Sequence, residues 1–154
     1  VKVPDTVRIK LNDGEIIEIG LDEYLYGVVS SEMGTSYKTK GKYKDVGIEA
    51  LKAQAVVART YTLNKLKNAP SKHAYGADMC DDINCCQAYQ TKEYAFASWE
   101  DSEENEKWAK LDKAVESTKG KIITYHGEVI EAFFHSHSGG QTEGFEFVWV
   151  TDGQ

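Results

Sequence analysis

The longest periodic pattern of the chain, over residues 46–66, constrains its fold more than any other feature. Apolar side chains recur at helical spacing along one face, and others widen that face. They are Ile48, Leu51, Ala55, Val56, Val57, Ala58, Tyr61, Leu63 and Leu66. An apolar face this wide predicts a helix that is largely buried, which Asn68-Ala69-Pro70 ends. Such a helix needs other elements packed around it.

Length and charge limit what those elements can build. The 154 residues, 41% of them hydrophobic, suit one compact domain, so we expect residues 1–154 to fold together. The net charge of −7 argues against binding to nucleic acid or to an anionic membrane surface. No run of 18 apolar residues is present, so no segment of the sequence is expected to span a membrane.

Shorter patterns predict the partners of the long helix. Apolar alternation on both sides of Asn12-Asp13-Gly14 predicts a β-hairpin, and a second hairpin is expected around His126-Gly127. Residues 104–119 predict another amphipathic helix, whereas the polar residues 34–45 indicate a loop. The expected fold class is therefore α+β, with amphipathic helices packed against β-hairpins or small antiparallel sheets.

Glu32 interrupts an apolar stripe. Leu21, Leu25 and Val28 place one face of a further amphipathic helix against the core, and Glu32 falls next on that face. A carboxyl group withdrawn from water favours its neutral form, which can protonate a leaving oxygen. The alternative is a slightly rotated helix on which Glu32 is solvated or paired with a lysine.

Three polar residues of the long helix are further candidates. Lys52 and Arg59 share a face and could pair with Glu32 or bind a ligand's carboxylate or hydroxyl; a solvated face is the alternative. Gln54 lies far round the helix from both and is expected to satisfy backbone groups in the core.

A small polar loop follows the apolar strand of the second hairpin. His135 and His137 could bind a metal ion as in a metallohydrolase, or contact a polar ligand beside glycines that permit close approach. Thr142 and Glu143 extend this polar set. An ordinary polar turn is the remaining alternative.

The three cysteines lie within seven residues, at Cys80, Cys85 and Cys86. This clustering is unlike a disulfide framework and indicates a local metal site, or one local bridge with a free thiol. With His73 upstream, four ligands for a structural zinc ion are available. A Cys–His nucleophile is the remaining option, although nothing singles out one thiol.

Three segments together carry a family resemblance. They read LDEYLYGVVSSEM at residues 21–33, EALKAQAVVARTY at 49–61 and AFFHSHSGGQTE at 132–143. In order and spacing they resemble the stage II sporulation protein D family, whose other branch contains the amidase-enhancer proteins.

The resemblance implies a lytic transglycosylase that cuts the bond between N-acetylmuramic acid and N-acetylglucosamine in peptidoglycan, leaving 1,6-anhydro ends. Glycan strands already stripped of stem peptides by a partner amidase are the implied substrate. Glu32 matches the family's catalytic acid, and no second carboxylate is required. The implied substrate-binding residues are Lys52, Gln54, Arg59, His135, Ser138, Thr142 and Glu143. The rival interpretation is a non-catalytic glycan-binding enhancer of an amidase.

Some family members also carry zinc. Cys80 and Cys86-Gln87 match that pattern, whereas Cys85 replaces a histidine, so His73 with the three cysteines is the implied set. Such a zinc ion would be structural, and catalysis should need no cofactor. The resemblance further implies a site outside the cytoplasmic membrane, at the septum between mother cell and forespore. Membrane attachment would come through an N-terminal anchor that this sequence lacks, and the domain is expected to be truncated at its C-terminus. No oligomeric state is indicated.

Overall fold

The structure, a computed structural model, describes residues 2–68, 73 and 76–132. Its helices are Leu21–Glu32 (α1), Ile48–Asn68 (α2), Lys92–Ala97 (α3) and Glu104–Ser117 (α4). Its strands are Thr6–Lys10 (β1), Ile16–Gly20 (β2), Ser36–Thr39 (β3), Lys42–Asp45 (β4), Met79–Cys80 (β5), Thr124–Tyr125 (β6) and Glu128–Val129 (β7). The fold class is α+β, as the sequence predicts.

The N-terminal hairpin is confirmed, and a third strand joins it. β1 pairs antiparallel with β2, with Val7 opposite Ile19 and Ile9 opposite Ile17. On its other edge β1 pairs parallel with β5, where Ile9 lies opposite Met79. This sheet is therefore mixed rather than purely antiparallel. A strand of two residues has no alternation that the sequence could reveal.

The prediction of a loop over residues 34–45 is wrong. β3 and β4 form an antiparallel hairpin there, and its turn has positive φ at Lys40 (48°) and Gly41 (77°). Two successive positive φ values suit the twist of a tight hairpin. Lysine-rich strands without apolar alternation carry no periodic signal, which is why the hairpin was not expected.

The core forms around α2, which packs against both α1 and α4. Leu51, Ala55 and Ala58 of α2 are fully buried, and the small alanines allow neighbouring helices to approach. Leu111 and Val115 of α4 are also fully buried. The long helix is thus largely buried, as its pattern predicts, and no helix in the described residues is long and apolar enough to cross a membrane.

An extended segment, residues 87–90, crosses α1 at close range. The Gln90 backbone N–H donates to the Gly27 carbonyl at 3.4 Å, and the Gln90 amide donates to the Ser30 hydroxyl at 3.0 Å. A Cβ atom at position 27 would come within 3.0 Å of both the Tyr89 ring and the Gln90 carbonyl. Only glycine fits at this crossing, and the crossing brings the segment to the end of α1.

Candidate active site

Glu32 is the last residue of α1 and is half-buried. Leu25 and Val28 on the same face of α1 are fully buried. Glu32 lies where this face leaves the core and approaches the surface. Its Oε1 accepts a hydrogen bond of 2.6 Å from the backbone N–H of Ala88. The carboxyl group is thus held from one side by the crossing segment.

No lysine or arginine within the described residues forms an ion pair with Glu32. The ammonium group of Lys52 lies 3.2 Å from a carboxylate oxygen of Glu49 on the same helix. The neutralising pair that the sequence left open for Glu32 is therefore not formed. Its carboxyl group remains available for chemistry rather than committed to a salt bridge.

Arg59 lies in a different place and has a different set of partners. Its side chain is fully buried, and Nη1 donates to the carbonyls of Thr118 at 2.8 Å and Lys121 at 3.0 Å. Nη2 donates to the Val115 carbonyl at 3.4 Å. Carbonyls at a helix C-terminus lack intrahelical partners, and a cation there is favourable.

Burial lowers the pKa of the Arg59 guanidinium, with a smaller opposing effect from Asp22. The contacts join α2 to the end of α4. A role for Arg59 in the sugar groove stays a prediction, and its terminal nitrogens are already engaged by the protein backbone.

The other predicted groove residues are placed as follows. Gln54 is buried, and its Nε2 has no hydrogen-bond partner among the described residues. His135, Ser138, Thr142 and Glu143 lie outside the described residues, as does His137. The roles of these residues therefore remain predictions.

The three cysteines and His73 converge at one point. Their ligand atoms all lie within 4.8 Å of one another. Nε2 of His73 is 3.3 Å from the Cys85 sulfur and 3.5 Å from the Cys86 sulfur, and the two sulfurs are 4.0 Å apart. Ligands around tetrahedral zinc are separated by ~3.5–3.8 Å, so this donor set fits the ion.

Burial shapes the thiol chemistry of this cluster. It raises the pKa of the Cys86 thiol to about 12 and also raises that of Cys80. All three cysteines are free thiols. A cation at the point of convergence would stabilise the thiolates, because zinc ligation releases their protons.

Gln87 connects the cysteine cluster to Glu32. Its buried amide donates to the Thr62 hydroxyl at 2.8 Å and to the Tyr24 hydroxyl at 3.2 Å, which fixes it against α2 and α1. Cys86 precedes it and Ala88 follows it in the chain. Three consecutive residues therefore supply a candidate metal ligand, a buried contact to the core and the donor to Glu32.

Sequence inspection did not single out the roles of Gln87 and Ala88. The Cys-Gln pair was visible, but the partners of Gln87 are 25 and 63 residues away. A backbone donor such as Ala88 leaves no side-chain signature at all. Only the crossing at Gly27 shows why this segment reaches Glu32.

These features define an α+β protein in which Glu32, at the end of a helix, is linked through residues 86–88 to a Cys–His cluster that could hold a metal ion. A family model described as "SpoIID: Stage II sporulation protein" matches residues 12–125. The chain belongs to this SpoIID family.

Three relatives show the extent of the similarity. Stage II sporulation protein D of Bacillus subtilis (strain 168) is 39% identical over 133 residues, covering 86% of this chain and 36% of that protein. Its namesake from Bacillus amyloliquefaciens is 37% identical over 150 residues, 96% of this chain and 40% of that protein. The Amidase enhancer of Bacillus subtilis (strain 168) is 35% identical over 125 residues, 81% of this chain and 13% of that protein. The chain thus spans less than half the length of each.

Proposed function

We propose that this chain is the catalytic part of a lytic transglycosylase that cleaves peptidoglycan glycan strands between N-acetylmuramic acid and N-acetylglucosamine. The observation that carries the proposal is Glu32, half-buried at the end of α1 with Oε1 held by the Ala88 N–H at 2.6 Å. A fixed carboxyl group free of ion pairs suits a general acid, which must meet its substrate in one orientation.

In the proposed reaction, Glu32 acts twice. As an acid it gives its proton to the glycosidic oxygen, and the bond from that oxygen to the anomeric carbon breaks. As a carboxylate it then takes the proton of the C6 hydroxyl, whose oxygen bonds to the same anomeric carbon. The product is a 1,6-anhydro end, water is not consumed, and Glu32 returns to its protonated state.

A single carboxyl group suffices for this scheme, because the attacking group belongs to the substrate. Retaining and inverting glycosidases instead require a second carboxylate on the opposite side of the bond. The Ala88 N–H occupies Oε1, which leaves Oε2 of Glu32 to carry the proton in both steps.

We also propose that His73, Cys80, Cys85 and Cys86 hold a structural zinc ion. The ion would tie β5 to the segment that begins at Cys85, and it would supply rigidity rather than a reacting group. The acid–base steps above do not pass through it.

Family membership supports the setting of the activity. We propose that the substrate is glycan from which a partner amidase has removed the stem peptides, and that the full-length protein works outside the cytoplasmic membrane at the sporulation septum. Lys52, Gln54, Arg59, His135, Ser138, Thr142 and Glu143 remain the proposed glycan contacts.

The test is product analysis of peptide-free glycan digested with Glu32→Gln and the unmodified chain. The substitution preserves the shape and removes the titratable proton, so we expect anhydro ends to fall by about 10²–10⁴-fold. Glu23→Gln, which changes an exposed carboxylate on the same helix, is the matched control and should cleave normally.

Unchanged cleavage by Glu32→Gln would refute the catalytic role. Glycan binding by the unmodified chain without any anhydro product would instead identify a non-catalytic enhancer. The relative named Amidase enhancer makes that the second candidate.

A further inference from the structure

We propose that the cysteine cluster has two mutually exclusive states, a reduced state that holds zinc and an oxidised state in which Cys80 and Cys85 form a disulfide bond. The sequence alone left a metal site and a local bridge as alternatives, and the geometry allows both in one place. This inference rests on the proposed zinc ion and is independent of the proposed glycan cleavage. It adds an oxidation site whose reagent is hydrogen peroxide.

The three thiols lie close enough to exchange between these states. Their sulfurs and the ring nitrogen of His73 all lie within 4.8 Å of one another. The carbonyl of Asp82 accepts from the N–H of Cys85 at 3.0 Å and from the N–H of Cys86 at 2.8 Å. Rotation between staggered χ1 positions is the motion that closes a sulfur–sulfur gap of this size. A bridge to Cys80 on β5 can therefore form by side-chain movement.

Backbone geometry selects Cys80 as one partner of the bridge. Cys85 and Cys86 are neighbours in the chain, and consecutive Cα atoms across a trans peptide are about 3.8 Å apart. Disulfide bonds usually join Cα atoms about 4.4–6.8 Å apart. A bond between the two neighbours would therefore be strained, and an unstrained bridge within the cluster must include Cys80.

Exposure selects Cys85 as the other partner. Cys80 is 8% exposed and Cys86 is 6% exposed, whereas Cys85 is half-buried. A dissolved oxidant therefore reaches the sulfur of Cys85 first, because oxidation of a cysteine follows its accessibility. Cys80 is then the nearby thiol that completes the bridge.

The oxidation balances with one molecule of hydrogen peroxide. One peroxide oxygen is transferred to the Cys85 sulfur, which gives a sulfenic acid and one water molecule. The Cys80 sulfur then attacks the Cys85 sulfur, so the S–S bond forms, the S–O bond breaks and the oxygen leaves as a second water molecule. The two sulfurs lose two electrons in total and the peroxide gains them. The thiol protons end in the water molecules.

The disulfide bond and the zinc ion cannot share the cluster. A disulfide sulfur no longer carries the negative charge of a thiolate, which is the form that binds zinc. After oxidation only His73 and Cys86 remain as ligands, which is fewer than the four of a structural zinc site. The bridge still joins β5 to Cys85, so oxidation exchanges one crosslink for another and releases His73.

The test treats the zinc-loaded chain with hydrogen peroxide and measures released zinc with a metal-indicator dye and remaining thiols with a thiol-reactive dye. We expect one zinc ion to be released for every two thiols lost, and the mass of the denatured chain to fall by two hydrogen atoms. A protease that cuts before aspartate separates Cys80 from Cys85, because Asp81 and Asp82 lie between them. The two peptides should stay joined until they are reduced.

Cys85→Ser and Cys86→Ser form a matched pair, since each removes one thiol from the same turn. In zinc-free protein, Cys86→Ser should form the disulfide bond as fast as the unmodified chain. Cys85→Ser should react about tenfold more slowly, because both of its remaining thiols are buried. Equal rates for the two variants would overturn Cys85 as the site of oxidation.

Zinc that stays bound after peroxide treatment, or zinc released without a disulfide bond, would overturn the exchange. A reduced chain that binds no zinc would overturn it together with the proposed structural ion. The test of Glu32 is separate, because anhydro ends are counted without peroxide. The oxidation site can therefore fail while the transglycosylase proposal stands.

Discussion

Glu32 and Arg59 are both charged residues in helices that face the core, yet the two regions around them treat charge in opposite ways. Arg59 is fully buried and its terminal nitrogens make three hydrogen bonds to carbonyls at the end of α4. Glu32 is half-buried and, among the described residues, accepts one hydrogen bond, from the backbone N–H of Ala88.

The difference separates a residue that stabilises the fold from a residue that is placed to take part in a reaction. A buried charge is tolerated when hydrogen bonds compensate it, and both terminal nitrogens of Arg59 are used in this way, while its Nε has no partner among the described residues. A half-buried carboxyl group held on one oxygen keeps the other oxygen for a reaction. Glu32 therefore differs from Arg59 in keeping part of its charged group accessible to solvent.

The largest effect should come from Arg59→Met, which removes the buried charge and its three hydrogen bonds to the carbonyls of Val115, Thr118 and Lys121. We expect the free energy of unfolding, measured by urea denaturation, to fall by about 3–5 kcal/mol, because several hydrogen bonds from a charged donor are lost. Arg59→Lys keeps the positive charge but loses the planar guanidinium group, so it should lower the free energy of unfolding less than Arg59→Met does. If Arg59→Lys folded normally but lost glycan binding, Arg59 would be a groove residue after all.

Metal removal should have the next largest effect, and it should act on the Glu32 region. Cys86→Ala removes one of the four proposed zinc ligands, and we expect the zinc content of the protein to be lost and Tm to fall by about 5–10 °C. Elemental analysis and thermal denaturation measure both. Cys85→His replaces one proposed ligand with a ligand of another type, so this variant should keep the metal. Unchanged zinc content in Cys86→Ala would show that the cluster is not the site.

Gly27→Ala tests the crossing that brings Ala88 to Glu32. The added Cβ would collide with the Tyr89 ring and the Gln90 carbonyl, and overpacking of this kind costs about 1–3 kcal/mol. We also expect kcat to fall, because the donor to Glu32 moves. Gly47→Ala is the control, since nothing lies within 4 Å of its Cβ position. Normal kcat in Gly27→Ala would argue that the Ala88 contact is dispensable.

The smallest change in stability should come from Lys52→Met. Its ammonium pairs with Glu49, whose side chain is 84% exposed, and surface pairs contribute about 0–1 kcal/mol. A loss of glycan affinity with unchanged stability would assign Lys52 to substrate. Unchanged affinity would leave it as an ordinary surface residue.

Local patterns predicted the parts of the fold that depend on local physics. The apolar stripes predicted α1, α2 and α4, and alternation around a turn predicted the β1–β2 hairpin. The parallel β1–β5 pairing and the β3–β4 hairpin were missed, because two-residue and lysine-rich strands carry no periodic signal.

The same distinction between local patterns and long-range contacts applies to the candidate site. Glu32 stands out because a carboxylate on an apolar stripe is anomalous in a short window of sequence. The convergence of His73 with the cysteines could be proposed from clustering, but the contacts of Gln87 join three distant parts of the chain. The hydrogen bonds from Arg59 to carbonyls at the end of α4 depend on where that helix ends in space. The sequence of α2 carries no information about that position.

The hydrogen bond from Ala88 to Glu32 has a consequence for how mutations at position 88 should be interpreted. The donor is an amide hydrogen that every amino acid except proline possesses. Substitutions at this position can vary widely in side chain and still preserve the tether, whereas proline alone would abolish it. A position that orients the acid can therefore look unconstrained in a mutational scan apart from one forbidden residue.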